Sequence, residues 1–86
     1  MKINQLIEII KNKINLKIKT TSIIIEDKTF LHRTHRSFKE GKYHLKITIK
    51  SDDLNTKNKI EANKYLYRIL DQEIKQYIHS IQINLI

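Results

Sequence analysis

Residues 43–50, with the sequence YHLKITIK, alternate strictly between apolar and polar side chains, and this alternation constrains the fold more than any other feature of the chain. It predicts a β-strand with one buried and one polar face, because successive side chains of a strand point to opposite sides. Such a strand is stable only when another layer of structure packs against its apolar face. The apolar positions are Tyr43, Leu45, Ile47 and Ile49, and the polar positions are His44, Lys46, Thr48 and Lys50.

Two stretches with helical spacing can supply that layer. The first fifteen residues predict an amphipathic helix, with apolar residues at Ile3, Leu6, Ile7, Ile10 and Ile14. The stretch SDDLNT is rich in helix-capping residues, and a second helix is predicted after it, from about Lys57. This second helix is marked by Ile60, Leu66, Tyr67, Leu70 and Ile74.

Two further strands complete the expected fold. The β-branched run TTSIIIED predicts a strand of about seven residues. The closing stretch YIHSIQINLI predicts a terminal strand, with Ile78, Ser80, Gln82 and Asn84 alternating against His79, Ile81, Ile83 and Leu85. The order helix, strand, strand, helix, strand predicts one small α+β domain over residues 1–86, with helices on one face of a three-stranded sheet.

Composition excludes several kinds of chemistry. The chain has no cysteine, so it forms no disulfide and supplies neither a thiolate ligand nor a cysteine nucleophile. No run of residues approaches the roughly 20 apolar positions of a membrane-spanning helix, which predicts a soluble, cytoplasmic protein.

Three of the four histidines fall in the stretch FLHRTHRSFKEGKYHL, and His79 is the fourth. Most of that stretch belongs to a long predicted loop between the first two strands, and long loops in compact domains are usually either functional or mobile. His32 or His35 could act as a general base, but no nucleophile motif or phosphate-binding loop accompanies them, so we do not expect an enzyme. His44 lies on the polar face of its predicted strand, and we assign it no metal role.

Four segments in a fixed order resemble the BolA-like proteins, from the first helix to Ile83. They are EDKTFLH, YHLKITIKSDDL, NKYLYRILDQEI and IHSIQI. The chain departs from the family pattern at two places. Residues 54–56 (Leu-Asn-Thr) replace the usual aromatic-x-Gly motif, and residues 62–64 replace the usual Arg-His-Arg, with Lys64 the one basic residue retained.

The resemblance implies a class II KH-like fold and a monothiol glutaredoxin partner. The two proteins would share a bridging two-iron, two-sulfur (2Fe-2S) cluster with glutathione, whereas the chain alone would hold none and be a monomer or weak homodimer. By family position, His79 is the main ligand, and His32 is the second ligand, with His35 as the alternative. Iron in such clusters accepts imidazole nitrogen in place of thiolate, as in Rieske centres. Cations expected to contact the partner or glutathione are Arg33, Arg36, Lys39, Lys42 and Lys64.

Charge supports a second hypothesis, a DNA- or RNA-binding transcriptional regulator. Residues 1–50 carry 12 basic and 4 acidic side chains, while residues 51–86 carry 5 of each, which predicts one basic face within a net charge of +8. However, a KH loop that clamps a nucleic-acid backbone needs Gly-x-x-Gly, and Gly41 is the single glycine. Phosphate attraction without base contacts would be weak and sensitive to salt.

Overall fold

The computed structural model describes residues 1–29 and 42–86 of the chain. Within them lie four helices and three strands in the predicted order, which confirms the α+β class. The helices are α1 (Ile3–Lys17), α2 (Asp52–Asn55), α3 (Lys59–Ile69) and α4 (Asp71–Tyr77), and the strands are β1 (Ser22–Asp27), β2 (Tyr43–Lys50) and β3 (Ile78–Leu85).

The sheet has the order β1-β2-β3, so the strictly alternating strand is the central one. β1 pairs antiparallel with β2, and β3 pairs parallel with it. The register sets Ile25 against Ile47 and Leu45 against Ile81, which places most apolar side chains of the three strands on one face, with Ile24 an exception on the other. The opposite face carries mainly polar side chains.

The helical layer covers the apolar face of the sheet. Leu6, Ile10 and Ile14 of α1 are fully buried, as the helical spacing predicts. The core also contains Ile18, Leu45, Ile47, Ile49, Leu54, Ala62, Leu66, Leu70 and Ile78. Burial of this cluster is the main force that holds helices and sheet together.

The predicted second helix is interrupted. Asn58 caps the N-terminus of α3, because its side-chain oxygen accepts the Glu61 N–H at 2.8 Å. At Leu70 the backbone leaves the helical region (φ −99°, ψ 14°), so α3 ends and α4 begins there. Leu70 is completely buried, as its place in the apolar spacing predicts. The spacing alone therefore does not reveal that the helix is interrupted at this residue. Ile60 and Tyr67, which we counted with the apolar spacing, are 69% and 42% exposed.

Ser51 joins the end of the sheet to the helical layer. Its hydroxyl donates to the Lys19 carbonyl at 2.6 Å and accepts the Leu54 N–H at 3.4 Å, which caps α2. Such side-chain caps satisfy backbone groups that the first turn of a helix leaves without partners. Among the helices of residues 1–29 and 42–86, none is long and apolar enough to span a membrane.

Candidate functional site

His79 lies where the pairing between β2 and β3 changes register. Tyr43 pairs with Ile78, but the next pair along β2 is His44 with Ser80, so β3 contains one additional residue at this point. An additional residue of this kind bends a strand and changes the direction of its side chain, and such irregularities are frequent beside functional sites.

This irregularity corrects one detail of the predicted terminal strand. We placed Ile78 on the same face as Ser80 and the polar residues that follow, but Ile78 is 3% exposed and packs in the core. From Ser80 onward the predicted alternation holds, since exposed and partly buried residues follow one another to the end of the strand. The register shift at His79 is the physical reason for the difference.

His44 and His79 form a pair of neighbouring imidazoles. Their ring centroids are 4.9 Å apart and the ring planes are inclined by 60°. His44 is 3% exposed, whereas His79 is only partly buried. The pairing of these two strands therefore provides one enclosed imidazole and one that an approaching partner can reach.

Several hydrogen bonds fix the position of His44. Its Nδ1 shares a hydrogen bond of 2.8 Å with the Ser80 hydroxyl. Its backbone N–H donates to the Thr29 hydroxyl at 3.1 Å, and its carbonyl accepts the Lys28 N–H at 2.7 Å. The imidazole that packs against His79 is thus held from β3, and the His44 backbone is held by the residues that follow β1.

A pair of imidazoles can contribute to a metal site but does not complete one. Throughout the part of the chain that the structure describes, no group of three or more histidine, cysteine, aspartate or glutamate side chains is arranged to hold a metal ion. Tetrahedral coordination needs four donors. A metal held at His79 would therefore need donors from a partner, from residues 30–41, or from both.

Cationic side chains lie at the same end of the sheet. Lys42 directly precedes Tyr43, the β2 residue paired with Ile78, and its ammonium donates to the Lys75 carbonyl at 3.3 Å. Lys28 forms an ion pair with Glu26 at 2.9 Å. The hydrogen bond and charge of Lys28 lower the pKa of the Glu26 carboxyl below its ordinary value.

The remaining predicted site residues are not all placed together. Lys64 lies on α3, where it lines a cleft with Lys57, Glu61, Tyr65 and Arg68, and this cleft belongs to the helical layer. The other predicted ligands and cations lie outside the described residues, namely His32, Arg33, His35, Arg36 and Lys39.

Sequence reasoning did not select His44 as a neighbour of His79. Its position on the polar face of β2 is confirmed by its pairing with Ser80. The alternation contains no signal that β3 gains a residue opposite that position, because the register shift depends on how two distant segments pair. The sequence indicated only that the second and third predicted strands each contain a histidine; it did not indicate that the two histidines are neighbours.

Comparison with known proteins agrees with this architecture. The family model described as "BolA-like protein" matches residues 14–86. A relative named DNA-binding transcriptional regulator BolA, from Haemophilus influenzae, is 28% identical over 78 residues, which cover 91% of this chain and 73% of the relative.

Two solved structures from Arabidopsis thaliana share the fold. The BolA domain of SufE1 superposes with a TM-score of 0.76 at 22% identity, over 91% of this chain and 86% of that one. BolA1 superposes with a TM-score of 0.78 at 18% identity, over 93% and 88% of the two chains. Fold, element order and matched sequence lead to one assignment: the chain belongs to the BolA-like family.

Proposed function

We propose that this protein is an adaptor, not an enzyme, that binds a monothiol glutaredoxin and shares a 2Fe-2S cluster with it and with glutathione before the cluster is passed on. The observation that carries this proposal is His79, which the register shift of β3 sets apart at the end of the sheet and against the ring of His44. Family membership and the resemblance of the segment IHSIQI to the family's ligand position support it.

The donor chemistry suits a shared cluster. The chain lacks cysteine, and two imidazoles can replace two thiolates on one iron. In the proposed complex the glutaredoxin cysteine and glutathione supply thiolates, His79 supplies one nitrogen, and His32 or His35 supplies the second. A donor set divided between partners holds the cluster only while both are present, as transfer requires.

In this proposal His44 positions the ligand. Its ring packs against His79 and is held through Nδ1 by Ser80, so it limits the orientations that the His79 ring can take. Neighbours that orient a ligating histidine commonly change metal affinity by 10- to 100-fold when they are removed.

Charge at this end of the sheet favours an anionic cargo. A cluster with thiolate ligands is negatively charged, and so are the carboxylates of glutathione. Lys42 lies at this end of the sheet, and Arg33, Arg36 and Lys39 precede it in the sequence, outside the described residues. We propose that these cations stabilise the bound cluster and glutathione by charge-assisted hydrogen bonds, and that Lys64 contacts the glutaredoxin.

The proposal is tested by anaerobic titration of the protein into cluster-loaded, glutathione-bound monothiol glutaredoxin, followed by visible circular dichroism. The wild-type protein should produce a new spectrum, and His79→Ala should abolish it. His44→Gln serves as the matched histidine change: it should retain the new spectrum and shorten the lifetime of the cluster. His32→Ala should also make the cluster more labile without preventing association of the proteins.

Far-ultraviolet circular dichroism of each variant verifies that it is folded. Without a spectral change from the folded wild-type protein, the adaptor proposal fails. An unchanged spectrum with His79→Ala would remove His79 as a ligand.

A second candidate is a DNA-binding regulator, favoured by the name of the Haemophilus influenzae relative and by the net charge of +8. It predicts binding of a labelled duplex whose affinity falls steeply with salt. Fluorescence anisotropy at 50 and 200 mM salt, with several duplex sequences, separates the two proposals. Sequence preference that persists at the higher salt concentration would favour the regulator.

A further inference from the structure

A groove follows the line where α1 and α3 meet on the outer side of the helical layer. Its centre is a cleft of about 360 Å³ lined by Lys13, Leu16 and Lys17 of α1 and by Arg68 and Ile69 of α3. A neighbouring cleft shares Arg68 with it and extends along α3 past Lys64. We call the surface formed by these six residues the α1–α3 groove.

The centre of the α1–α3 groove is apolar. Leu16 is 81% exposed, the largest exposed fraction among the exposed large apolar side chains of the described residues. It lies on a helix whose core contacts are made by other positions, so the fold does not need it there. Ile69 lies in the same cleft and is partly buried against the core. Together they form an apolar strip open to solvent.

Cations surround this strip. Lys17, Lys64 and Arg68 form no ion pair with any residue in the ranges 1–29 and 42–86, whereas Lys13 pairs with Glu73 at 2.7 Å. Three positive charges beside exposed apolar surface thus have no ion-pair partner among the described residues, although the Glu61 and Asp53 carboxylates line the adjoining clefts. Protein interfaces commonly combine an apolar centre with a charged rim, and arginine is enriched in them.

We propose that the α1–α3 groove is a docking surface for an acidic amphipathic helix of a partner protein. Such a helix would place its apolar side chains on Leu16 and Ile69 and its carboxylates beside Lys17, Lys64 and Arg68. The α3 residues of the groove extend from Lys64 to Ile69, about 7.5 Å at 1.5 Å per residue, which is long enough to contact between one and two turns of a bound helix.

A nucleic acid suits this groove less well than a protein helix. Phosphates would meet the apolar centre, whereas an amphipathic helix places apolar side chains there; the Glu61 and Asp53 carboxylates at the ends of the groove act on either anionic ligand. The docking surface rests on Leu16, Ile69 and the cations beside them and not on the histidines, and Lys64 is the one residue that it shares with the proposed glutaredoxin contact. The peptide titration below contains neither cluster nor glutaredoxin, so failure of the cluster titration leaves the groove proposal intact.

The test is a nuclear magnetic resonance titration of the isotope-labelled full chain with a synthetic helical peptide. The probe is an 18-residue peptide with leucines at i, i+3, i+4 and i+7 spacing and glutamates on both sides of that stripe. We expect saturable shifts confined to residues of the α1–α3 groove. A peptide with glutamine in place of every glutamate should bind at least fivefold more weakly at low salt.

Variants of the protein locate the binding surface. Leu16→Ala should weaken the Kd about tenfold, because alanine has much less apolar surface to bury against the peptide than leucine has. Arg68→Gln should weaken it several-fold at 50 mM salt and much less at 500 mM. Two matched controls outside the groove should leave the Kd unchanged: Ile24→Ala, an exposed apolar residue of β1, and Lys50→Gln, an exposed cation of β2.

Several results would overturn the proposal. Shifts spread over the polar face of the sheet, or controls that weaken binding as much as Leu16→Ala, would place the peptide elsewhere. Equal binding of the glutamine peptide would remove the role of charge. An oligothymidine 20-mer that shifts the same resonances and displaces the peptide would assign the groove to nucleic acid.

Discussion

The ion pair between Lys13 and Glu73 should contribute more to stability than any other ion pair among the described residues. It joins α1 to α4, with the ammonium 2.7 and 3.0 Å from the two carboxylate oxygens. The Glu73 side chain is 8% exposed and the Lys13 side chain 33%, so the pair is largely but not fully removed from water. Lys13→Met keeps most of the apolar stem and removes the charge, which leaves a carboxylate enclosed without its main partner.

The expected loss lies between two known limits. Removing one partner of a fully buried pair costs about 3–5 kcal/mol, and removing one from an exposed pair costs about 0–1 kcal/mol. Because a third of Lys13 remains exposed, we expect about 2 kcal/mol for Lys13→Met. For a domain of 86 residues this corresponds to a decrease in Tm of about 10 °C.

Urea unfolding followed by circular dichroism measures this loss. Lys75→Met is the matched control, because Lys75 pairs with Asp71 at 3.1 Å while both side chains are more than half exposed. That variant should change stability by less than about 0.5 kcal/mol. The double variant Lys13→Met with Glu73→Met should recover most of the loss, since it removes both charges. A Lys13→Met variant that is as stable as Lys75→Met would refute the reasoning.

Three other predictions concern two strands of the sheet and the Ser51 cap of α2. Ile47→Ala should cost about 2–5 kcal/mol in urea unfolding, whereas Ile24→Ala, at an exposed position of β1, should cost less than about 1 kcal/mol. Lys28→Gln should raise the pKa of Glu26 toward its ordinary value, as measured by side-chain resonances against pH. Because folding lowers that pKa, the stabilisation by this carboxylate is present above the unfolded-state pKa and is lost as the pH falls through the folded-state pKa. Ser51→Ala should cost about 1–2 kcal/mol in the same urea assay, because it removes the cap of α2 and the hydrogen bond to the Lys19 carbonyl.

Much of the fold follows from local periodicity. The helix predicted over the first fifteen residues is observed at Ile3–Lys17, and the alternating strand is observed at Tyr43–Lys50. In both segments every residue that the pattern assigns to the core side is at least partly buried. These predictions succeed because one face of each element is buried, so the pattern of apolar residues records the geometry directly.

Two features depend on packing between distant segments, and the periodicity does not reveal them. Leu70 continues the helical spacing, yet its backbone leaves the helical region at a position where the side chain is completely buried. His79 acquires His44 as a neighbour only through the register shift between β2 and β3. The family resemblance selected His79 as a ligand by position, but the neighbour that packs against it emerges only when the strands are paired.

The distribution of charge shows why sequence segments are a poor guide to surfaces. The count of charged residues by segment predicted that a basic face would come from residues 1–50, because residues 51–86 have no net charge. The α1–α3 groove instead combines Lys17 from the basic half with Lys64 and Arg68 from the neutral half. Lys13 also lines this groove, but Glu73 neutralises it at 2.7 Å. The positive charge of the groove that has no ion-pair partner among the described residues therefore comes from Lys17, Lys64 and Arg68, which the fold brings together from the two halves of the sequence beside an exposed apolar strip.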